Sequence, residues 1–180
     1  GTIAGVGLHQ EDHSAFKYAG PWPREPSDEA VTGFWSTTGI PGATAEFQFE
    51  GDNVKLVTRR GPDMGMMRIR IDGQDPLADL VPKNNFGQSV LDLYSKEVEP
   101  VSKIALASRL SPGSHVLTLE SLGRSSPYST GEKVVIDGVE ISNNRPLWPY
   151  LAFGIAWAMG LGIVAWRFVL RFILRFTFRF

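Results

Sequence analysis

The 180-residue sequence contains no cysteine. Disulfides, thiolate nucleophiles, iron-sulfur clusters and cysteine-ligated zinc are therefore excluded. The sequence also contains neither a P-loop nor a G-x-S-x-G nucleophile motif. Without disulfides, an extracytoplasmic domain depends on packing alone, and a segment of about 140 residues is long enough to bury a core of its own.

Acidic residues are absent from the C-terminal part, since none follows Glu140. Residues 1–144 carry 13 Lys and Arg against 19 Asp and Glu, a net charge of −6. Residues 145–180 carry five arginines and no acidic residue, a net charge of +5. Because the N-terminal part is acidic and nucleic-acid binding needs a basic face, we expect no nucleic-acid partner.

The run from Leu147 to Trp166 has no charged residue in twenty positions. A helix of that length spans about 30 Å, the hydrocarbon thickness of a bilayer, so residues 145–166 are predicted to form a single transmembrane helix. Arginine-rich flanks favour the cytoplasmic side. We therefore expect an inner or plasma membrane protein with a cytoplasmic C-terminus and a periplasmic or cell-surface N-terminal domain. Such export needs a leader, which we expect to have been removed or to lie outside the sequence, unless the sequence is simply trimmed.

Small residues form two stripes on the predicted helix. One stripe holds Ala152, Ala156 and Gly160, and the other holds Gly154, Ala158 and Gly162. Small side chains let helices approach closely in lipid, which predicts contact with helices of membrane protein subunits. Glycine and alanine are also common in membrane helices that have no specific partner.

Residues 167–180 repeat arginine and phenylalanine at helical spacing. The arginines are Arg167, Arg171, Arg175 and Arg179, and each is followed directly by a phenylalanine. We expect a basic, aromatic cytoplasmic extension that either continues the helix or lies on the membrane with its arginines at anionic lipid headgroups.

The rest of the sequence alternates with period two. In residues 44–50, Ala45, Phe47 and Phe49 alternate with polar side chains, and residues 67–72 behave alike. Further short strands are predicted at 31–35, 54–58, 90–94, 103–107, 115–120, 134–136 and 139–141. These roughly eight strands predict an all-β fold, an antiparallel β-sandwich or jelly roll over residues 16–144. Residues 1–15 are expected to be a polar lead-in.

Turn residues separate the predicted strands. Gly65, Gly73, Gly113 and Gly138 are expected to supply the positive φ angles that hairpin turns require. The core is expected to include Phe47, Phe49, Ile69, Ile71, Leu117 and Leu119.

The sequence resembles the galactose-binding-like β-sandwich modules found beside bacterial surface enzymes. The resemblance covers about residues 15–142 and rests on segments 18–22, 42–54, 61–65, 70–73, 112–119 and 135–139. It implies a β-sandwich fold, and such modules often bind carbohydrate, although many serve only as docking or spacer domains.

Candidate contact residues are aromatic side chains in or near predicted loops. Trp22, Tyr94 and Tyr128, together with Asp63 in a predicted turn, are expected to contact a ligand such as a sugar or a protein partner. The alternative for each ring is core packing. His9 and His13 are four positions apart, as in a zincin, but Gln10 stands where the glutamate is needed. We therefore expect no metal, and interpret this stretch as a solvated polar segment. Paired carboxylates such as Asp63 and Asp72 are interpreted as solvated.

Two function classes remain. The first is a non-catalytic accessory subunit whose sandwich docks on a membrane protein complex, such as a respiratory or photosynthetic one. The alternative is a membrane-tethered carbohydrate-binding module with a glycan as partner. No arrangement of residues predicts catalysis, and we expect neither enzyme activity nor a cofactor.

Overall fold

The computed structural model describes residues 1–76 and 80–143. This part of the chain forms strands, turns and loops without an α-helix. None of the described residues belongs to a helix that could cross a membrane. The predicted transmembrane helix, its small-residue stripes and the arginine-rich extension lie outside the described residues.

Twelve strands are present in the described residues. They are β1 (Gly7–Gln10), β2 (Phe16–Ala19), β3 (Arg24–Pro26), β4 (Phe34–Thr38), β5 (Thr44–Glu50), β6 (Asn53–Arg60), β7 (Met66–Ile71), β8 (Val90–Asp92), β9 (Glu99–Ala107), β10 (Ser114–Ser121), β11 (Val134–Ile136) and β12 (Gly138–Ser142).

The strands form three antiparallel sheets. The largest has the order β2-β5-β10-β7-β8, and a four-stranded sheet has the order β1-β12-β6-β9. A three-stranded sheet has the order β11-β4-β3. Every pair of neighbouring strands is antiparallel, which confirms an antiparallel, all-β architecture in the described residues, as the alternating pattern predicted.

The predicted core residues lie on the inward faces of β5, β7 and β10, and the core also takes side chains from β6, β9, β11 and β12. Phe47, Ile69 and Leu117 are fully buried, and the other predicted core residues Phe49, Ile71 and Leu119 are buried too. Register explains why they meet: Leu117 pairs with Phe47 on one side and with Ile71 on the other. Because side chains on paired positions share a face, one alternating pattern places all six in the same core.

The N-terminal residues differ from the expected lead-in. Gly7–Gln10 is the edge strand β1, paired with β12, and Ala4 exchanges backbone hydrogen bonds with Gln48 and Glu50 at 3.0 and 2.8 Å. An edge strand pairs through its backbone and can keep a polar sequence, which is why the hydrophobic pattern did not indicate it.

A buried charged cluster attaches this N-terminal segment to the fold. The Glu11 side chain is completely buried and accepts a hydrogen bond from Arg24 Nε at 2.7 Å. The backbone N–H of Glu11 donates to the Asp137 carbonyl, and the buried Asp137 carboxylate accepts from the N–H of Val31 at 3.0 Å. Burial raises the pKa of Asp137, and the charge of Glu11 adds to this effect. The cluster therefore joins the segments around β1, β3 and β12, and the second carboxylate oxygen of Glu11, Oε2, is buried without a hydrogen-bond partner among the described residues.

Two of the four predicted glycine roles were wrong. Gly73 and Gly113 have positive φ angles of 77° and 135°, as expected, whereas Gly65 and Gly138 are not among the glycines with positive φ. Both instead allow close backbone approach. A Cβ atom at Gly138 would lie 2.5 Å from the carbonyl oxygen of His9, and one at Gly65 would collide with the backbone of Glu132.

Candidate functional site

Two predicted contact residues, Tyr94 and Tyr128, lie together on the surface. Their ring centroids are 6.1 Å apart with an angle of 35° between the planes. Tyr128 is 78% exposed, while Tyr94 is half-buried. We call these two residues the tyrosine pair. An exposed aromatic ring supported by a second ring offers a flat apolar face to a ligand.

Backbone and hydroxyl hydrogen bonds hold the loop that carries Tyr128. The Ser129 hydroxyl donates to the Met64 carbonyl at 2.7 Å, and the N–H of Thr130 donates to the Pro62 carbonyl at 2.8 Å. The carbonyl of Ser126 accepts from the N–H of Ser129 at 3.0 Å, closing a turn around Tyr128. These hydrogen bonds fix the loop that carries the Tyr128 ring, so ligand binding would cost little conformational entropy of this loop.

The second loop of the site contains Asp63. Asp63 Oδ1 accepts from Arg59 Nη1 at 2.7 Å, and Arg59 Nε donates to Glu29 at 3.1 Å. The Arg59 side chain is 14% exposed, so the guanidinium lies largely beneath this surface. Burial lowers the pKa of Arg59, but the hydrogen bonds and charges of Asp63 and Glu29 raise it above its ordinary value. Asp63 therefore combines a partly exposed carboxylate with a fixed orientation.

Tyr94 is held by residues of a neighbouring cleft. Its N–H donates to Asp92 Oδ1 at 2.9 Å, and its carbonyl accepts from Arg60 Nη2 at 3.0 Å. Arg60 also pairs with Glu99 at 3.2 Å. Hydrogen bonds from Ser95 and Ser102, and then the Arg60 charge, hold the pKa of the Glu99 carboxyl below its ordinary value.

The neighbouring cleft has a volume of about 480 Å³. Its apolar wall is formed by Met66, Val90, Leu91, Ile104 and Pro82, and its polar rim by Arg60, Lys83, Asn84, Asp92 and Arg124. We call it the basic cleft because three of these five polar residues are cations. An apolar wall with a few polar groups is typical of small-molecule sites.

Beside the basic cleft, an aromatic side chain stands at the tip of a tight loop. Phe86 is 84% exposed, and the Asn84 side chain accepts the N–H groups of Phe86 and Gln88 at 2.9 and 3.0 Å. Gly87 completes the turn with a φ of 74°. Sequence reasoning missed Phe86, although an aromatic residue between Asn-Asn and Gly is a recognisable turn signal.

Trp22 packs partly against the core rather than standing free as a contact residue. Its ring packs on Tyr18 with a centroid distance of 5.6 Å, and it lies half-buried against the hydrophobic core.

Of the four predicted contact residues, the structure brings together Tyr94, Tyr128 and the loop of Asp63. Arg60, Lys83 and Arg124 were not predicted, because scattered basic residues give no signal until the fold gathers them.

A second, larger cleft of about 680 Å³ lies at the other end of β7. It is lined by Ile71, Asp72, Asp75, Arg109 and His115 among others. Its acidic groups are engaged: Asp72 Oδ2 contacts His115 Nδ1 at 2.7 Å, and Asp75 pairs with Arg68 at 2.9 Å. Among the described residues that line this cleft, the only aromatic ring is the buried imidazole of His115. We therefore consider the tyrosine pair and the basic cleft the better candidate site.

The histidines near the N-terminus are close to each other but engaged with backbone. The rings of His9 and His13 lie 4.7 Å apart. His9 Nε2 contacts the Gly5 carbonyl, and His13 Nδ1 accepts the N–H of Ala15. Within residues 1–76 and 80–143, no group of three or more His, Asp or Glu side chains could hold a metal ion.

Comparisons with known proteins give matches at the level of structure. No protein-family model and no curated protein sequence matches this chain. A xanthan lyase from Paenibacillus is similar with a TM-score of 0.53 and 15% identity, over 76% of this chain and 13% of that one. A two-domain esterase active on acetylated mannans is similar with a TM-score of 0.55 and 13% identity, over 76% of this chain and 36% of that one.

These matches identify the fold and nothing finer. The chain spans 13% and 36% of the lengths of the lyase and the esterase, so it corresponds to a part of each. At such low identity the likeness shows the fold alone, a β-sandwich, as the galactose-binding-like resemblance implied.

Proposed function

We propose that this chain is a non-catalytic carbohydrate-binding module, with the tyrosine pair and the basic cleft as its site. The observation that carries the proposal is the exposed Tyr128 ring, supported by Tyr94 at 6.1 Å and fixed by the Ser129 hydrogen bonds. Sugar rings have an apolar face that stacks on aromatic side chains, while their hydroxyl groups need polar partners at the edge. Asp63 is such a partner, since its carboxylate is partly exposed in the loop next to the one that carries Tyr128.

The fold likeness supports the same function class. The lyase and the esterase are named for polysaccharide substrates, and that esterase has also been crystallised with mannopentaose. Their activity belongs to whole proteins several times longer than the matched part. For this chain we therefore propose binding without turnover.

Membrane tethering is the second part of the proposal. It is supported by the uncharged run of residues 147–166 and the five arginines after residue 144. In this arrangement the sandwich is extracytoplasmic and the C-terminus cytoplasmic. The accessory-subunit function, with the small-residue stripes packed on other membrane subunits, is supported by sequence alone, so we place it second.

An array of neutral and acidic oligosaccharides tests the proposal. The purified full chain in mild detergent should bind a subset of glycans, and the bound glycans should be recovered unchanged after prolonged incubation. Release of shorter products would contradict the non-catalytic assignment. Absence of binding to any glycan, together with co-purification of defined membrane subunits, would favour the accessory-subunit function.

A further inference from the structure

The charges around the basic cleft differ in sign from those of the whole domain. Residues 1–144 carry a net charge of −6, yet Arg60, Lys83 and Arg124 line this one cleft beside a single acid, Asp92. A cleft whose lining has an excess of one sign of charge concentrates ligands of the opposite sign. The excess positive charge is thus local to the candidate site.

Two of the three cations are available to a ligand. Lys83 and Arg124 are exposed and form no ion pair among the described residues, although the charge of Lys83 also acts on Asp75, which is paired with Arg68. Arg60 is already engaged, since it pairs with Glu99 and donates to the Tyr94 carbonyl. It therefore links the cleft to the tyrosine pair, while Lys83 and Arg124 are left to meet a charge from outside.

We infer that the basic cleft recognises the negatively charged group of an acidic sugar, whose neighbouring residue stacks on the tyrosine pair. This inference rests on the proposed function. The apolar wall formed by Met66, Val90 and Ile104 can cover the sugar ring. The planar guanidinium of Arg124 suits two oxygens of one carboxylate or sulfate, and Lys83 adds a point charge. The volume of about 480 Å³ lies within the usual range of small-molecule sites.

Paired oligosaccharides test the inference on the full chain. Glucuronate- and galacturonate-containing oligosaccharides are presented beside their carboxyl-reduced forms, and sulfated ones beside their desulfated forms. We expect binding to be stronger for the charged member and to weaken with added salt. R124Q and K83Q should each weaken binding of the charged member by about 2- to 5-fold and leave the neutral member unchanged. The carboxylate and sulfate arms identify which anionic group is preferred.

R109Q is the matched control, because Arg109 is an exposed cation that lines the other cleft. It should bind like the unchanged chain. Equal binding of charged and neutral members, or equal losses in R109Q and R124Q, would overturn the inference while the proposed function stands. If no oligosaccharide of either kind binds, the proposed function fails and the inference fails with it.

Discussion

Replacing Phe47 with alanine should remove one of the two fully buried phenylalanine rings of the sandwich core. Phe47 is fully buried on β5, which pairs with β2 and β10. Its ring centroid lies 4.6 Å from that of Phe16, 5.8 Å from His9 and 6.3 Å from Phe49. The substitution therefore leaves a cavity bounded by three rings on separate strands.

The expected loss of unfolding free energy is about 3 to 5 kcal/mol, from the lost transfer of the ring and the cavity it leaves. Lost aromatic pair contacts account for about 0.5 to 1.5 kcal/mol each and belong within that range. Since domains of this kind are stable by about 5 to 15 kcal/mol, the change removes a large share of the total.

Urea unfolding of the full chain in mild detergent, followed by far-UV circular dichroism, measures the loss. The midpoint should fall while the slope stays constant. Phe86→Ala is the matched control, because the same ring is removed from a position that is 84% exposed, and it should cost less than about 0.5 kcal/mol. Similar midpoints for the two variants would refute the account of the core.

Three further outcomes are expected. Burial lowers the pKa of His115, but the hydrogen bonds that His115 forms with Asp72 and the Ser111 carbonyl outweigh burial and raise this pKa above 6.5. Burial raises the pKa of Asp72, but the hydrogen bonds from His115 and the Val116 N–H outweigh burial and lower this pKa below 3.8. The Asp72–His115 pair therefore stabilises the folded domain most at pH values between 3.8 and 6.5, where both groups are charged. Asp72→Asn should lower the melting temperature most near about pH 5.5 and less toward pH 9. A loss that does not change with pH would count against the pair. Gly138→Ala should lower the free energy of unfolding by about 1 to 3 kcal/mol in the same urea assay, because the added Cβ would push β1 away from β12. Gly5→Ala is the control and should be neutral, since a Cβ there meets nothing within 4 Å. Equal losses in the two variants would contradict the close approach of β1 to Gly138. Protease added to spheroplasts should digest residues 1–144 and spare the tail, and the reverse pattern would overturn the proposed orientation.

Strands with one buried face were predictable from sequence. Residues 44–50 were predicted within their observed bounds, and the buried side chains of β5, β7 and β10 followed from their period of two. The predicted strand at 31–35 was displaced, since β4 begins at Phe34. Val31 instead donates its N–H to the buried Asp137, a contact 106 residues distant in sequence that no local pattern indicates.

The edge strands and the arrangement of the candidate site were harder to predict from the sequence, because both depend on tertiary contacts. β1, β2 and β3 are short, and β1 and β3 are polar edge strands whose pairing is backbone-driven. Tyr94 and Tyr128 were predicted as contact residues separately. Their approach to 6.1 Å follows from the loops around Pro62 and Met64, which carry hydrogen bonds from Ser129.

Affinity of a Tyr128→Ala variant for an oligosaccharide bound by the unchanged chain tests the central claim most directly. The variant removes an exposed ring, so its stability should match that of the unchanged chain. Phe34→Ala is the control, because it removes a ring that is 38% exposed and packs on Arg24 outside the site. Glycan binding through the tyrosine pair predicts an affinity about 3- to 10-fold weaker for Tyr128→Ala and unchanged for Phe34→Ala. Full affinity in a folded Tyr128→Ala variant would contradict the assignment of this site.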